Sequence, residues 1–224
     1  IKFFNTGFGR DTQSGTTRSY TLEATSALVN EAHTLGKPVA WPAIGGQGLR
    51  TAVEAGADSI EHGCLMGLDP DLFKMMADNG SYLVPTFTVF TFHSAQGNPH
   101  AQAEANAFQQ QHIETVHPDL SEGVRVVAGT DAGGWEHGNN AKELELLVAA
   151  GMSPMQSIVA ATSLAAVCLG LEKNIGTIDP VMLADVIVVD GNPLTDITIQ
   201  QDKERISIVM KDGQVYRDQL SESN

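Results

Sequence analysis

The sequence has no apolar run approaching the roughly 18 residues that a membrane span needs, and no basic stretch followed by a short apolar segment of the signal-peptide kind. Basic residues are scarce: 13 Lys and Arg stand against 27 Asp and Glu, a formal net charge of −14. That balance excludes the basic face with which nucleic-acid binders neutralise phosphates, and it predicts an acidic, well-solvated surface. Two cysteines, Cys64 and Cys168, are too few to identify a compartment, and both sit among small or apolar neighbours, as buried reduced thiols do. A phosphate-binding turn is also missing. Asn5-Thr6-Gly7-Phe8-Gly9-Arg10 follows a strand-like start but lacks the third glycine, which removes the main support for a nucleotide-binding domain. The chain opens on Ile1 rather than methionine, so the start of the gene product is expected upstream.

What is present is an alternation of short apolar runs and helical stretches. Ile1 to Asn5 reads as a strand. Thr21 can cap the helix that follows, with Glu23 in its first turn and Gly36 at its end. Leu22, Ala24, Ala27, Leu28, Ala32 and Leu35 fall on one face of it at helical spacing. Pro38 to Trp41 is a second strand, Gly48 to Ala55 a short helix, and Asp58 to His62 a third strand. Asp69 is placed to cap the next helix, with Pro70 at its first position, Leu72, Met75 and Met76 inward, and Gly80 at its end. Tyr82 to Val89 is a fourth strand, the Ala- and Gln-rich stretch from Pro99 to Glu114 contains a helix, and Val124 to Ala128 is a fifth strand. A helix over Ala141 to Ala150 precedes a strong start signal at Ser153, Pro154 and Gln156, whose helix runs to Leu169. Ala184 to Asp190 is again a strand. A hairpin of Arg205 to Met210 with Gln214 to Arg217 then completes a separate small β-element.

Strands alternating with helices at this spacing predict βαβ units in a parallel sheet, an α/β fold. Five such strands are expected, against the eight of a closed (β/α)8 barrel. In parallel α/β folds ligands gather at the C-terminal ends of the strands. Lys2 lies within the first strand, alternating away from Ile1 and Phe3. His62 ends Ser59-Ile60-Glu61-His62-Gly63, and Asp131 follows Val126-Val127-Ala128-Gly129-Thr130. A lysine, an imidazole and a carboxylate from different strands can converge on one point, and such donors suit Zn2+, Mn2+ or a similar ion. Each also has an ordinary alternative: a solvated terminal lysine, a satisfied strand-end histidine, a turn-capping aspartate. His137, near Trp135 in the loop after the fifth strand, sits where substrate contacts are expected, whereas His93, His100, His112 and His117 read as surface residues.

These residues carry a resemblance. Arg50-Thr51-Ala52-Val53-Glu54-Ala55-Gly56-Ala57-Asp58 followed by Ser59-Ile60-Glu61-His62-Gly63 resembles the sixth-strand segment of the amidohydrolase superfamily, in its imidazolonepropionase-like and prolidase-like dipeptidase branch. Gly129-Thr130-Asp131-Ala132-Gly133 is similar to the eighth-strand motif of that branch. Gly176-Thr177-Ile178-Asp179-Pro180 and Leu183 to Leu194 resemble the return into its small β-domain, and Ile1-Lys2-Phe3 resembles its fourth strand. The resemblance implies a partial TIM-type (β/α)8 barrel, strands four to eight, over residues 1–175, and the C-terminal strands of a small β-sandwich domain over 176–224. It implies one or two divalent ions, zinc first among them, with Lys2 as a carboxylated lysine bridging them, His62 as a ligand, and Asp131 as ligand and general base. The reaction implied is hydrolysis of a C–N bond in an amide, cyclic amide or dipeptide.

Two departures from the family pattern stand out. The His-x-His pair of its first strand is absent, and Pro42 stands where the fifth strand should end in histidine; no histidine lies between Gly36 and Glu61. The alternative reading is therefore a non-catalytic barrel fragment that serves as a binding or oligomeric module. In either case the unpaired strand edges predict that the chain forms homo-oligomers or needs a missing N-terminal half.

Overall fold

The computed structural model describes residues 1–4, 6, 17–92, 98–116, 123–133 and 137–221. Asn5, Gly7, Phe8, Gly9, Arg10, His93, His117, Gly134 and Trp135 lie outside the described residues. The chain divides into two compact units, Ile1–Trp135 and Glu136–Asn224.

The first unit is built by one repeated device. Strand β1 (Ala40–Ala43) leads through helix α2 (Gly46–Glu54) to β2 (Ser59–His62), then through α3 (Asp71–Asn79) to β3 (Tyr82–Val84). Helices α4 (Val89–Phe92) and α5 (Pro99–Val116) carry the chain to β4 (Arg125–Val126). The strands pair in parallel in the order β1-β2-β3-β4. Their register places Trp41, Ile60, Leu83 and Val126 side by side across the sheet, and none is more than 2% exposed. The alternate pleat aligns Pro42 with Glu61 and Val84, and Ala40 with Ser59, Tyr82 and Arg125. One face is thus an apolar row and the other carries the polar chemistry, because successive residues of a strand face opposite sides.

The N-terminal segment forms a single parallel bridge, Lys2 with Ala40, rather than the full strand expected over residues 1–5. Ala40 N–H donates to Ile1 O, and Phe3 N–H donates to Ala40 O. The next rung would need an N–H at position 42, and Pro42 has none, so the ladder stops there. At Ile44 the same edge is satisfied by a side chain instead: Ile44 N–H donates to Thr6 Oγ1 at 3.0 Å.

Helix α1 (Leu22–Thr34) is capped by Thr21 as expected, but its buried face is Thr25, Val29 and Ala32. Leu22 and Leu35, placed inward on spacing alone, are 41% and 61% exposed. Thr25 can be buried because its hydroxyl donates to Thr21 O at 2.9 Å. Asp69 does not cap α3: its carboxylate takes two hydrogen bonds from Arg50, at 2.6 and 2.5 Å, a bidentate geometry that a backbone N–H cannot match. The strand expected from Tyr82 to Val89 ends at Val84, since Thr86 turns left-handed and α4 begins at Val89. Cys64 is buried and Cys168 half-buried, and neither is in a disulfide.

The second unit contains helix α6 (Lys142–Ala149), α7 (Pro154–Ala161), α8 (Ser163–Cys168) and an antiparallel sheet of β5 (Val186–Val189), β6 (Ile206–Lys211) and β7 (Gln214–Asp218) in the order β5-β6-β7. The single helix expected from Ser153 to Leu169 breaks at Thr162, where φ −126° and ψ −97° interrupt the turn. Its start is as expected: Ser153 accepts from Gln156 N–H and the Gln156 side chain accepts from Ser153 N–H, a complete capping box. Ser153→Ala removes that acceptor and is expected to lower stability by about 1 kcal/mol in denaturant titrations; no change would mean that solvent satisfies the helix end equally well.

Candidate active site

Three strand ends in the first unit share a backbone signature. His62 ends β2 with φ 74°, Thr86 follows β3 with φ 53°, and Asp131 follows β4 with φ 49°. Left-handed conformations cost a β-branched residue such as Thr most, and they persist only where surrounding structure over-determines them. Glycine neighbours make the turns feasible. A Cβ on Gly63 (φ +62°) would come within 2.9 Å of both Leu83 Cδ1 and Met66 Sδ, and one on Gly129 within 2.4 Å of Val84 Cγ1. Glycine is thus favoured in His62-Gly63 by the left-handed backbone and in Gly129-Thr130-Asp131 by the close approach of Val84.

Hydrogen bonds determine which His62 nitrogen is left over. Thr86 Oγ1 donates its one proton to Pro85 O at 2.6 Å. Its 2.7 Å contact with His62 Nδ1 must then be one in which the ring N–H donates to the hydroxyl oxygen. The proton sits on Nδ1, and Nε2 keeps its lone pair. Burial, at 6% exposure, drives the imidazole down to about 4; the Asp131 charge opposes that shift and the Lys2 charge adds to it. At neutral pH His62 thus presents an unprotonated Nε2, the form that binds a metal or accepts a proton.

Beside it, one residue earlier on β2, lies Glu61. Burial pushes its carboxyl above the ordinary range; a 2.6 Å hydrogen bond from Ser59 Oγ and the Lys2 charge oppose this, and the Asp131 charge reinforces it. Lys2 and Asp131 therefore act electrostatically on both Glu61 and His62. His137 lies in the second unit and is exposed.

Sequence reasoning missed Glu61, Thr86 and His112. Of these, His112 is a correction: it is 1% exposed, on α5, and its Nε2 lies 2.9 Å from His62 O. Its place in a polar Gln-rich stretch concealed its burial, although it falls one turn from Phe108, a hydrophobic position on the same helix. His100, by contrast, is exposed as expected.

The donor set fits a divalent ion in part. His62 has a free, neutral ring nitrogen, and Asp131 lies in the segment that follows β4, two strands away in the sheet. Yet among the described residues no three His, Cys, Asp or Glu side chains cluster closely enough to hold an ion. Pro42, buried and aligned with Glu61, contributes no donor where the polar face could have carried one.

These shifts predict a pH dependence. His112 is wholly buried and pushed down to about 3, against the 6.5 of an ordinary histidine. Between these values the unfolded chain binds a proton that the folded chain refuses, so the stability present above 6.5 is lost as pH falls toward 3. His62 acts in the same sense down to about 4. Glu61, being raised, acts in the opposite sense. Comparison with His112→Gln isolates the His112 contribution: the loss of stability between pH 6.5 and 4 should be visibly smaller in the variant. Parallel stability curves would show that His112 is not held neutral by the fold.

The first unit is thus a parallel α/β sheet with His62 at the end of β2 and Asp131 in the segment after β4. The chain belongs to the amidohydrolase family, whose model matches residues 12–216. It is 28% identical over 204 residues to the ochratoxinase of Aspergillus niger, covering 88% of this chain and 42% of that protein. A solved Xaa-Pro dipeptidase with methionine bound in its active site superposes with a TM-score of 0.84 at 36% identity, over 97% of this chain and 54% of that one. The structure of A. niger ochratoxinase superposes with a TM-score of 0.81 at 27% identity, over 97% of this chain and 50% of that one. The chain spans about half the length of the relatives it matches. Its fold is accordingly part of the α/β barrel of prolidase-like amidohydrolases.

Proposed function

We propose that the protein carrying this chain is a metal-dependent hydrolase of C–N bonds, in an amide, a cyclic amide or a dipeptide. The observation that carries the proposal is the unprotonated Nε2 of His62, held at a strand end under the charges of Lys2 and Asp131. The family relatives named for dipeptide and ochratoxin hydrolysis support it. His62, Asp131 and Lys2, the last as a carbamate, are the residues that would hold one or two divalent ions, zinc first among them. Such an ion polarises a carbonyl and makes water acidic near neutral pH. Asp131 is the group to take the proton of the attacking water and pass it to the leaving nitrogen. His137, exposed a few residues beyond Asp131, is proposed as a substrate contact. Residues 1–175 would form the second half of the barrel and 176–224 the strands of a small β-domain.

Pro42 favours the second reading, a barrel part that binds or assembles without catalysis. The two separate in one experiment on the full-length protein: bound zinc by elemental analysis, and release of amino acid from Xaa-Pro dipeptides and N-acyl amino acids. The hydrolase reading expects bound metal and turnover together. A metal-free protein that remains inactive after zinc is added would leave the binding module standing.

A further inference from the structure

The β2–β3 ladder pairs Ser59 with Tyr82, Ile60 with Leu83 and Glu61 with Val84, and stops there. His62, still paired with Ala43 of β1, has no partner on β3, because its left-handed turn and that of Thr86 end this ladder, so its carbonyl loses the partner it would have had on that side. The carbonyl oxygen is met by His112, 50 residues on, whose Nε2 lies 2.9 Å away in a buried contact. A carbonyl only accepts, so Nε2 of His112 carries the proton and donates. We infer that His112 is a positioning residue, whose hydrogen bond to the His62 carbonyl holds the left-handed backbone that aims the His62 ring. The inference rests on His62 being a working residue of the proposed hydrolase.

The surroundings of His112 are built to hold this bond. Its ring packs edge-on against Phe87 at 4.6 Å and Phe90 at 6.0 Å between centroids. Phe90 also lies edge-on to the His62 ring at 5.8 Å, so one aromatic side chain braces both imidazoles. One turn earlier on α5, Gln109 donates to Phe87 O at 2.8 Å, which ties the helix to the same loop. Packing alone does not call for a histidine here. The Nδ1 of His112 is buried and has no hydrogen-bond partner among the described residues, an unsatisfied acceptor that an apolar side chain of similar size would avoid. The chemical need at this position is therefore the donor at Nε2. With Thr86 holding Nδ1 of His62 and His112 holding its carbonyl, the residue is gripped at ring and backbone.

Three variants of the full-length protein test this. His112→Gln keeps an N–H at the same reach from the backbone; His112→Asn is one bond too short; His112→Leu has no donor. Each is assayed for turnover of a Met-Pro dipeptide, for zinc affinity by chelator competition, and for the His62 ring 15N signals in the metal-free protein. Removing an outer partner of a ligating histidine typically costs roughly 10–100-fold in affinity or activity. His112→Asn and His112→Leu should therefore lose at least about tenfold in kcat and zinc affinity, change KM by less than about threefold, and shift the His62 signals. His112→Gln should restore all three readouts. Should His112→Leu fail to fold, the Asn and Gln pair decides. A His112→Asn protein with unaltered His62 signals and turnover overturns the inference, as does failure of His112→Gln alongside the other two. If the parent protein hydrolyses nothing, the proposed function falls, while the His62 signals of the metal-free variants still decide the role of His112.

Discussion

Alanine at position 62 should remove hydrolysis almost entirely, with kcat/KM falling by at least about 100-fold, beyond the roughly 10–100-fold that loss of an outer partner costs. The expectation follows from the hydrogen-bond arrangement at the ring. Thr86 gives its proton to Pro85 O and accepts that of His62 Nδ1, so Nε2 is the one ring atom left for chemistry. Alanine removes that atom outright. Thr86→Val, which removes only the acceptor at Nδ1, frees the ring to change tautomer and should cost less, on the order of 10–100-fold. The ordering of the two variants is the informative part. If His62→Ala retains activity within tenfold of the parent, His62 is a structural strand-end residue and the site lies elsewhere.

Pro42→His is the second substitution with a large expected effect, and here the effect is a gain. Pro42 is buried on the pleat of Glu61, its Cα partner, and on the same face as Ala40, which bridges Lys2. An imidazole placed there would face the polar side of the sheet and supply the donor that this strand lacks. In the full-length protein, zinc affinity should rise by about 10–100-fold, the order that even an outer-partner change commands, and turnover should rise with it. The substitution also restores a backbone N–H that can reach Phe3 O, so Pro42→Ala serves as the control for that effect alone. In the 224-residue chain by itself, Pro42→His should not create hydrolysis, because the sequence contains no His-x-His pair. Equal behaviour of the His and Ala variants in metal binding would show that position 42 does not face the ion.

Strand and helix alternation, the capping box at Ser153 and the hairpin around Asp212-Gly213 could be read directly, because each depends on residues close in sequence. The same is true of the family likeness, carried by short contiguous motifs. The errors arose where a residue had a choice of distant partner. Asp69 could cap the helix beside it or bind Arg50, and the bidentate ion pair won. The face of α1 was misjudged because spacing alone could not show that Thr25, with its hydroxyl satisfied by Thr21 O, would be buried in place of Leu22.

At the site the division is the same. The sequence by itself placed His62 at the end of a strand, since strand ends follow from local apolar runs and the glycines beside them. It also determined that Pro42 brings no donor to the polar face. Only the tertiary structure decided which nitrogen of His62 is free, because that depends on Thr86 at the end of the next strand. And only the tertiary structure brought His112 inward from a polar helix. Burying a histidine takes a specific acceptor, here the His62 carbonyl, and a parallel ladder that releases this carbonyl is visible only once the strands have paired.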